Sequence, residues 1–173
     1  MNIPNILTVI RFVCIPCFIG VFFSDLPDAG LISLCIFLFA MALDVADGFI
    51  ARKFDMITDL GKAMDPVADK LLVISVVTCL VMDGRIPLWF LLFVIGKELL
   101  MMLGWLILYR GRKVVVPANI FGKLATFFMF LYLVDSLRLG VFLTLFQWGA
   151  VISTALAFVM YGINFIKIRF AKG

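Results

Sequence analysis

The sequence predicts an all-α integral membrane bundle of six transmembrane helices with both termini on the cytoplasmic side. Three observations predict it. Of 173 residues, 65% are hydrophobic and the mean hydropathy is +1.19, a composition of membrane proteins rather than soluble domains. Six apolar runs approach or exceed the ~17–20 residues needed to cross the hydrocarbon. Basic residues crowd one set of connections and are nearly absent from the other. Phe is common, at 19 residues, which suits lipid-facing helices. No long polar stretch remains, so residues 1–173 read as a single membrane domain whose helices must themselves build any active site.

The first span runs from about Asn5 to Phe23 and is not a cleavable signal, because it lacks a basic start and a small-residue cleavage site. SDLPDAG, Ser24–Gly30, ends it. The second span covers Leu31 to about Phe49, and the third about Asp65 to Met82, closed by DGRIP at Asp83–Pro87. The fourth covers Leu88 to Tyr109. The fifth runs from about Asn119 to Val134, with DSLRLG at Asp135–Gly140 read as a break before the sixth, Val141 to Ile166. Pro4, Pro16 and Pro66 suggest bends or helix starts.

Charge orients these spans. The connections at 24–30, 83–87 and 135–140 hold only Arg85 and Arg138 as cations. The opposite side holds Arg52, Lys53, Lys62, Arg110, Arg112, Lys113, Lys123, Lys167, Arg169 and Lys172. Ten against two is a positive-inside bias that puts both termini in the cytoplasm. The net charge of +4 carries no nucleic-acid signal, because the cations sit at helix ends and form no basic tract.

One stretch concentrates the acids. Asp44 to Asp69, DVADGFIARKFDMITDLGKAMDPVAD, carries six of the eleven acidic residues. Asp44 and Asp47 are three apart and Asp65 and Asp69 four apart, so each pair lines one face of its helix. Gly48 and Ala51 continue the first face, and Gly61 leads into the second. Four converging carboxylates repel one another unless a cation sits among them. An all-oxygen cage suits a hard ion such as Mg²⁺, Mn²⁺ or Ca²⁺. The competing picture, two solvated helix faces beside a loop, fits poorly with the apolar flanks and the Gly and Ala between the acids. Both pairs lie at span ends, near the cytoplasmic boundary. A cation transporter would instead keep its carboxylates near the midplane, often on interrupted or repeated helices.

The residues available for chemistry are restricted. There is no His in the chain, so a general base must be a carboxylate, Lys, Tyr or Cys. Cys14 and Cys17 have C-x-x-C spacing but lie in an apolar helix around Pro16. With Cys35 and Cys79 they read as packing residues, and neither a zinc site nor a disulfide framework is indicated.

The acidic stretch also resembles a known pattern. D-x-x-D-G-x-x-A-R, eight residues, then G-x-x-x-D-x-x-x-D is the signature of the CDP-alcohol phosphotransferase family. Asp44, Asp47, Gly48, Ala51, Arg52, Gly61, Asp65 and Asp69 match it at all eight positions over 26 residues. The resemblance implies transfer of a phosphatidyl group from CDP-diacylglycerol to an alcohol, with release of CMP. Glycerol 3-phosphate is the first expectation for the acceptor. A CDP-diacylglycerol-dependent cardiolipin synthase or an inositol-phosphate-type transferase is the alternative. The family implies two ions, Mg²⁺ or Mn²⁺, with Asp44, Asp47 and Asp65 binding metal and Asp69 both ligating the second ion and serving as base. The residues alone support the carboxylate cage, not which acid touches which ion.

The resemblance extends to weaker positions. Gly48 and Ala51 would let the nucleotide approach the helix, and Arg52 offers a bidentate phosphate donor. Thr58 matches a hydroxyl position used towards the nucleotide, although an ordinary loop residue explains it equally. Ile3-Pro4-Asn5-Ile6-Leu7-Thr8 with Arg11 resembles the start of the CDP-diacylglycerol-using synthase branches of the family, as does DPVADK, Asp65–Lys70. Asn5 and Thr8 are expected to face the nucleotide, with helix capping as the rival explanation. Glu98 matches an acidic position of those branches, but Lys97 stands where Arg is usual. G-K-x-x-T, Gly122 to Thr126, matches as well, while Met129 replaces a frequent Gln. Lys123 is expected to bind an anionic acceptor with help from Arg110, whereas Arg112 and Lys113 read as interfacial anchors. In the last span Gly149, Ser153 and Ala157 form a small-residue stripe suited to close packing, within the chain or at a homodimer seam.

Overall fold

The computed structural model describes residues 3–53, 59–112 and 120–170. It contains six helices in order: α1 Ile3–Phe22, α2 Ala29–Lys53, α3 Asp59–Met82, α4 Leu88–Arg112, α5 Ile120–Arg138 and α6 Leu143–Phe170. All-α architecture follows from the long apolar runs, because a helix satisfies every backbone polar group internally. Among the described residues, four of the six expected spans are long and apolar enough to cross a membrane: Asn5–Phe22, Ala29–Ile50, Ile120–Arg138 and Leu143–Ile163. The chain divides into two compact units, residues 1–96 and 97–173.

In the first unit α1 is the spine. It packs along both α2 and α3, which touch each other far less. Phe18, Phe37, Ala40, Leu72, Val76 and Leu80 are fully buried, and in an apolar layer such contacts hold helices together by close van der Waals packing. Outward-facing residues are just as apolar: Val13, Phe39, Val45 and Phe49 are all more than half exposed. Apolar surface of that extent marks a face that meets something other than water. α3 closes at Gly84, whose φ of 75° suits a residue without Cβ. The backbone N–H of Arg85 then donates to the carbonyl of Leu80 at 2.9 Å.

In the second unit α5 and α6 pack tightly side by side. Gly149 permits it: a Cβ there would come within 2.7 Å of the Phe128 ring on α5. Ser153 and Ala157 continue the stripe and are buried. Intramolecular packing therefore occupies the Gly149 position of the stripe.

Several boundaries differ from the apolar runs. α2 continues to Lys53 and α3 begins at Asp59, because hydropathy marks where a helix leaves the apolar layer, not where it ends. α5 extends to Arg138 and absorbs most of the expected break at 135–140. Asp135 is 2% exposed, and its carboxylate accepts from the N–H groups of Val141 at 3.2 Å and Phe142 at 2.9 Å. It thus ties the end of α5 to the start of α6, a capping task that reads as a loop acid in the sequence. The cysteines are all free, but only Cys14 and Cys79 are buried; Cys17 and Cys35 are exposed, so packing accounts for two of the four.

Candidate active site

Helical geometry delivers the first acid pair as the spacing requires. Asp44 and Asp47 sit one turn apart on α2, with Asp47 buried and Asp44 37% exposed along its side chain. What joins them is Arg11 of α1, which is 0% exposed. Its Nη1 lies 2.7 Å from Asp44 Oδ1, and its Nη2 donates to Asp47 Oδ2. One planar guanidinium therefore bridges both carboxylates, a fork that Arg provides and Lys does not. The Nη1–Asp44 approach is an ion pair rather than an aligned hydrogen bond, and among the described residues the buried Nε and Nη1 of Arg11 make no hydrogen bond.

α1 presents further polar groups beside this bridge. Asn5, Thr8 and Arg11 follow at intervals of three; Thr8 is buried and Asn5 half-buried. Gly48 is half-buried on α2 next to Asp47, and Asp69 and Lys70 are half-buried on α3 beyond the fully buried Ala68. Ala51 and Arg52 belong to α2, Gly61 and Asp65 to α3, and Arg110 to α4; their side chains lie outside those described. Thr58 and Lys113 lie outside the described residues altogether. At the end of α2 the Lys53 ammonium sits 5.6 Å from the centroid of the Phe49 ring, a cation–π contact.

The donor set fits a hard cation. Two carboxylates already converge on one positive group, and all their donor atoms are oxygen, the ligand Mg²⁺ and Mn²⁺ prefer. Among the described residues no group of three or more Asp, Glu, Cys or His comes together: Asp44 and Asp47 pair on α2, and Asp69, although described, does not join them in such a group. Arg11 is the member that motif spacing missed. The available signal was a lone arginine inside an apolar span, where a charge needs a partner of opposite sign.

The second unit holds a cavity of about 280 Å³. Lys97, Glu98, Lys123, Thr126, Thr154 and Tyr161 supply its polar groups, and Met101 and Phe158 part of its apolar wall. Lys97 Nζ and Glu98 Oε1 are 2.6 Å apart and both half-buried. Thr126 Oγ1 donates back to the Gly122 carbonyl at 3.2 Å. Lys123 is exposed at the cavity. The structure thus gathers Lys97, Glu98, Lys123 and Thr126, which the sequence singled out on two separate helices, and adds Thr154 and Tyr161, which it did not.

The model of the CDP-alcohol phosphatidyltransferase family matches residues 1–161. A Bacillus subtilis protein named CDP-diacylglycerol--glycerol-3-phosphate 3-phosphatidyltransferase is 33% identical, the match covering 72% of this chain and 70% of that protein. A Rickettsia bellii protein of the same name is 36% identical, covering 73% of this chain and 69% of its own length. With the eight-position motif intact and its first two acids converging on Arg11, the chain belongs to the CDP-alcohol phosphatidyltransferase family.

Proposed function

We propose that this protein transfers the phosphatidyl group of CDP-diacylglycerol to glycerol 3-phosphate, giving phosphatidylglycerophosphate and CMP. The observation that carries this reading is the convergence of Asp44 and Asp47 within a complete family motif; the names of the relatives supply the acceptor. Asp44, Asp47, Asp65 and Asp69 would hold two Mg²⁺ or Mn²⁺ ions. Bound there, such ions polarise phosphoryl oxygens and neutralise charge developing on the leaving group.

The chain's own residues do the rest. Gly48 and Ala51 leave room for the nucleotide, Arg52 pairs with a phosphate, and Asn5 and Thr8 offer hydrogen bonds to the cytidine end. The acceptor hydroxyl loses its proton to Asp69, since the chain has no His to take it. The acceptor oxygen bonds to the phosphorus that carries diacylglycerol as the bond to the CMP oxygen breaks. Lys123 binds the phosphate of the acceptor, supported by a cavity that combines two ammonium groups with a carboxylate and three hydroxyls.

The same reading places six spans in the cell membrane, with both termini and the acidic face towards the cytoplasm. The ten-to-two distribution of cations supports it. Purified protein, CDP-diacylglycerol, Mg²⁺ or Mn²⁺ and a panel of acceptors test the function through CMP release. Glycerol 3-phosphate should be preferred over phosphatidylglycerol and inositol phosphate. Preference for phosphatidylglycerol would make the protein a cardiolipin synthase, and metal flux without CMP release would make it a transporter.

A further inference from the structure

We propose that Arg11 is a positioning residue for the divalent-ion site, fixing the Asp44 and Asp47 carboxylates from the α1 side for the ion. This rests on the reading that those carboxylates hold metal. Exposure runs in one direction across the three groups: Arg11 is 0% exposed, Asp47 3% and Asp44 37%. The guanidinium therefore sits on the closed side of the pair, and the open side is the one from which an ion arrives. Arg11 takes Oδ1 of Asp44 and Oδ2 of Asp47. A carboxylate offers about four lone-pair sites on two oxygens, so each acid can be held by Arg11 and still ligate.

Electrostatics favours the same division of labour. Two ionised carboxylates one turn apart carry −2 between them, and the guanidinium offsets one of those charges, so these three groups sum to −1. That net charge still attracts a divalent cation, and it keeps the pair from splaying when the ion is absent. A purely structural bolt between α1 and α2 is a costly use of a buried charge, because an apolar contact is often as stable or more so. Among the described residues Arg11 also leaves its buried Nε and Nη1 without a hydrogen bond, Nη1 meeting Asp44 as an ion pair, a cost accepted to spread one guanidinium across two different acids. Outer-sphere groups that orient ligating carboxylates act in this way.

The test measures metal binding, not turnover. Protein in lipid nanodiscs is titrated with Mn²⁺, free ion being read by electron paramagnetic resonance, and thermal unfolding in chelator reports folding separately. Arg11→Lys keeps the charge but loses the fork, and Arg11→Gln loses both. Mn²⁺ binding should weaken about 10–100-fold, more for Arg11→Gln than for Arg11→Lys, in variants that still unfold cooperatively. Unchanged or tighter binding by folded Arg11→Lys would overturn the inference, making Arg11 a structural bolt or a competitor of the ion. Should Arg11→Gln not fold, Arg11→Lys decides alone. Asp44→Asn separates the two readings. A wild type that binds no Mn²⁺, or Asp44→Asn that binds as tightly as wild type, removes the metal reading and the inference with it. Asp44-dependent binding that ignores Arg11→Lys removes the inference only.

Discussion

The Nη1 of Arg11, on the first helix, lies 2.7 Å from Oδ1 of Asp44, on the second. The same guanidinium also donates to Asp47, so a single buried cation ties α1 to the acidic face of α2. Losing one acid should therefore cost most where the pair is driest. Asp47→Asn should lower stability in chelator by about 3 kcal/mol, the scale for breaking a buried pair. Asp44→Asn, at a site 37% exposed, should cost clearly less because solvent screens it. Denaturation of the two variants in detergent gives the order; a larger loss for Asp44→Asn would contradict it.

Two glycines of α6 make a matched pair. A side chain at Gly149 meets the Phe128 ring, whereas a Cβ at Gly162 meets nothing within 4 Å. Gly149→Leu should destabilise by about 1–3 kcal/mol through overpacking. Gly162→Ala should be neutral or stabilising by up to about 1 kcal/mol, the helix-propensity difference. Melting temperatures of both variants check the contrast.

The cavity of the second unit predicts a split in kinetics. Lys123→Ala should raise KM for glycerol 3-phosphate at least about tenfold, the loss of one charge-assisted hydrogen bond. Affinity for CDP-diacylglycerol should stay within about twofold. An equal loss towards both substrates would reduce Lys123 to a general electrostatic effect, and full activity would return it to the class of interfacial anchors.

Asp69→Asn preserves size and removes the proton acceptor. Turnover should fall by roughly 10²–10⁴, and excess Mn²⁺ should not restore it, while CDP-lipid still binds. Asp44→Asn, acting through coordination, should recover partly as Mn²⁺ rises. Recovery of Asp69→Asn by metal would assign it coordination alone.

Much of this was legible in the sequence, for identifiable reasons. A helix announces itself locally, so the apolar runs located all six, and an i, i+3 spacing is enough to put Asp44 and Asp47 on one face. Their partner was not legible, since Arg11 reaches them across more than thirty residues and periodicity carries no tertiary pairing. Asp135 misled for the opposite reason. An acid beside Ser and near Gly reads as a solvent loop, yet burial and two backbone N–H partners make it part of the α5 end. The stripe Gly149, Ser153, Ala157 showed that something packs closely, and only the fold identifies Phe128 as what meets Gly149. Thr154 and Tyr161 escaped notice because their interest comes from sharing a cavity with Lys123.

The most direct measurement of the central claim follows both products at once. Radiolabelled glycerol 3-phosphate is incubated with CDP-diacylglycerol, Mn²⁺ and purified protein, and label entering the lipid fraction is compared with CMP released. Phosphatidyl transfer predicts one labelled lipid per CMP, with both products abolished together in Asp69→Asn. CMP release without label in lipid would make the protein a hydrolase, and neither product from folded, metal-loaded protein would contradict the account outright.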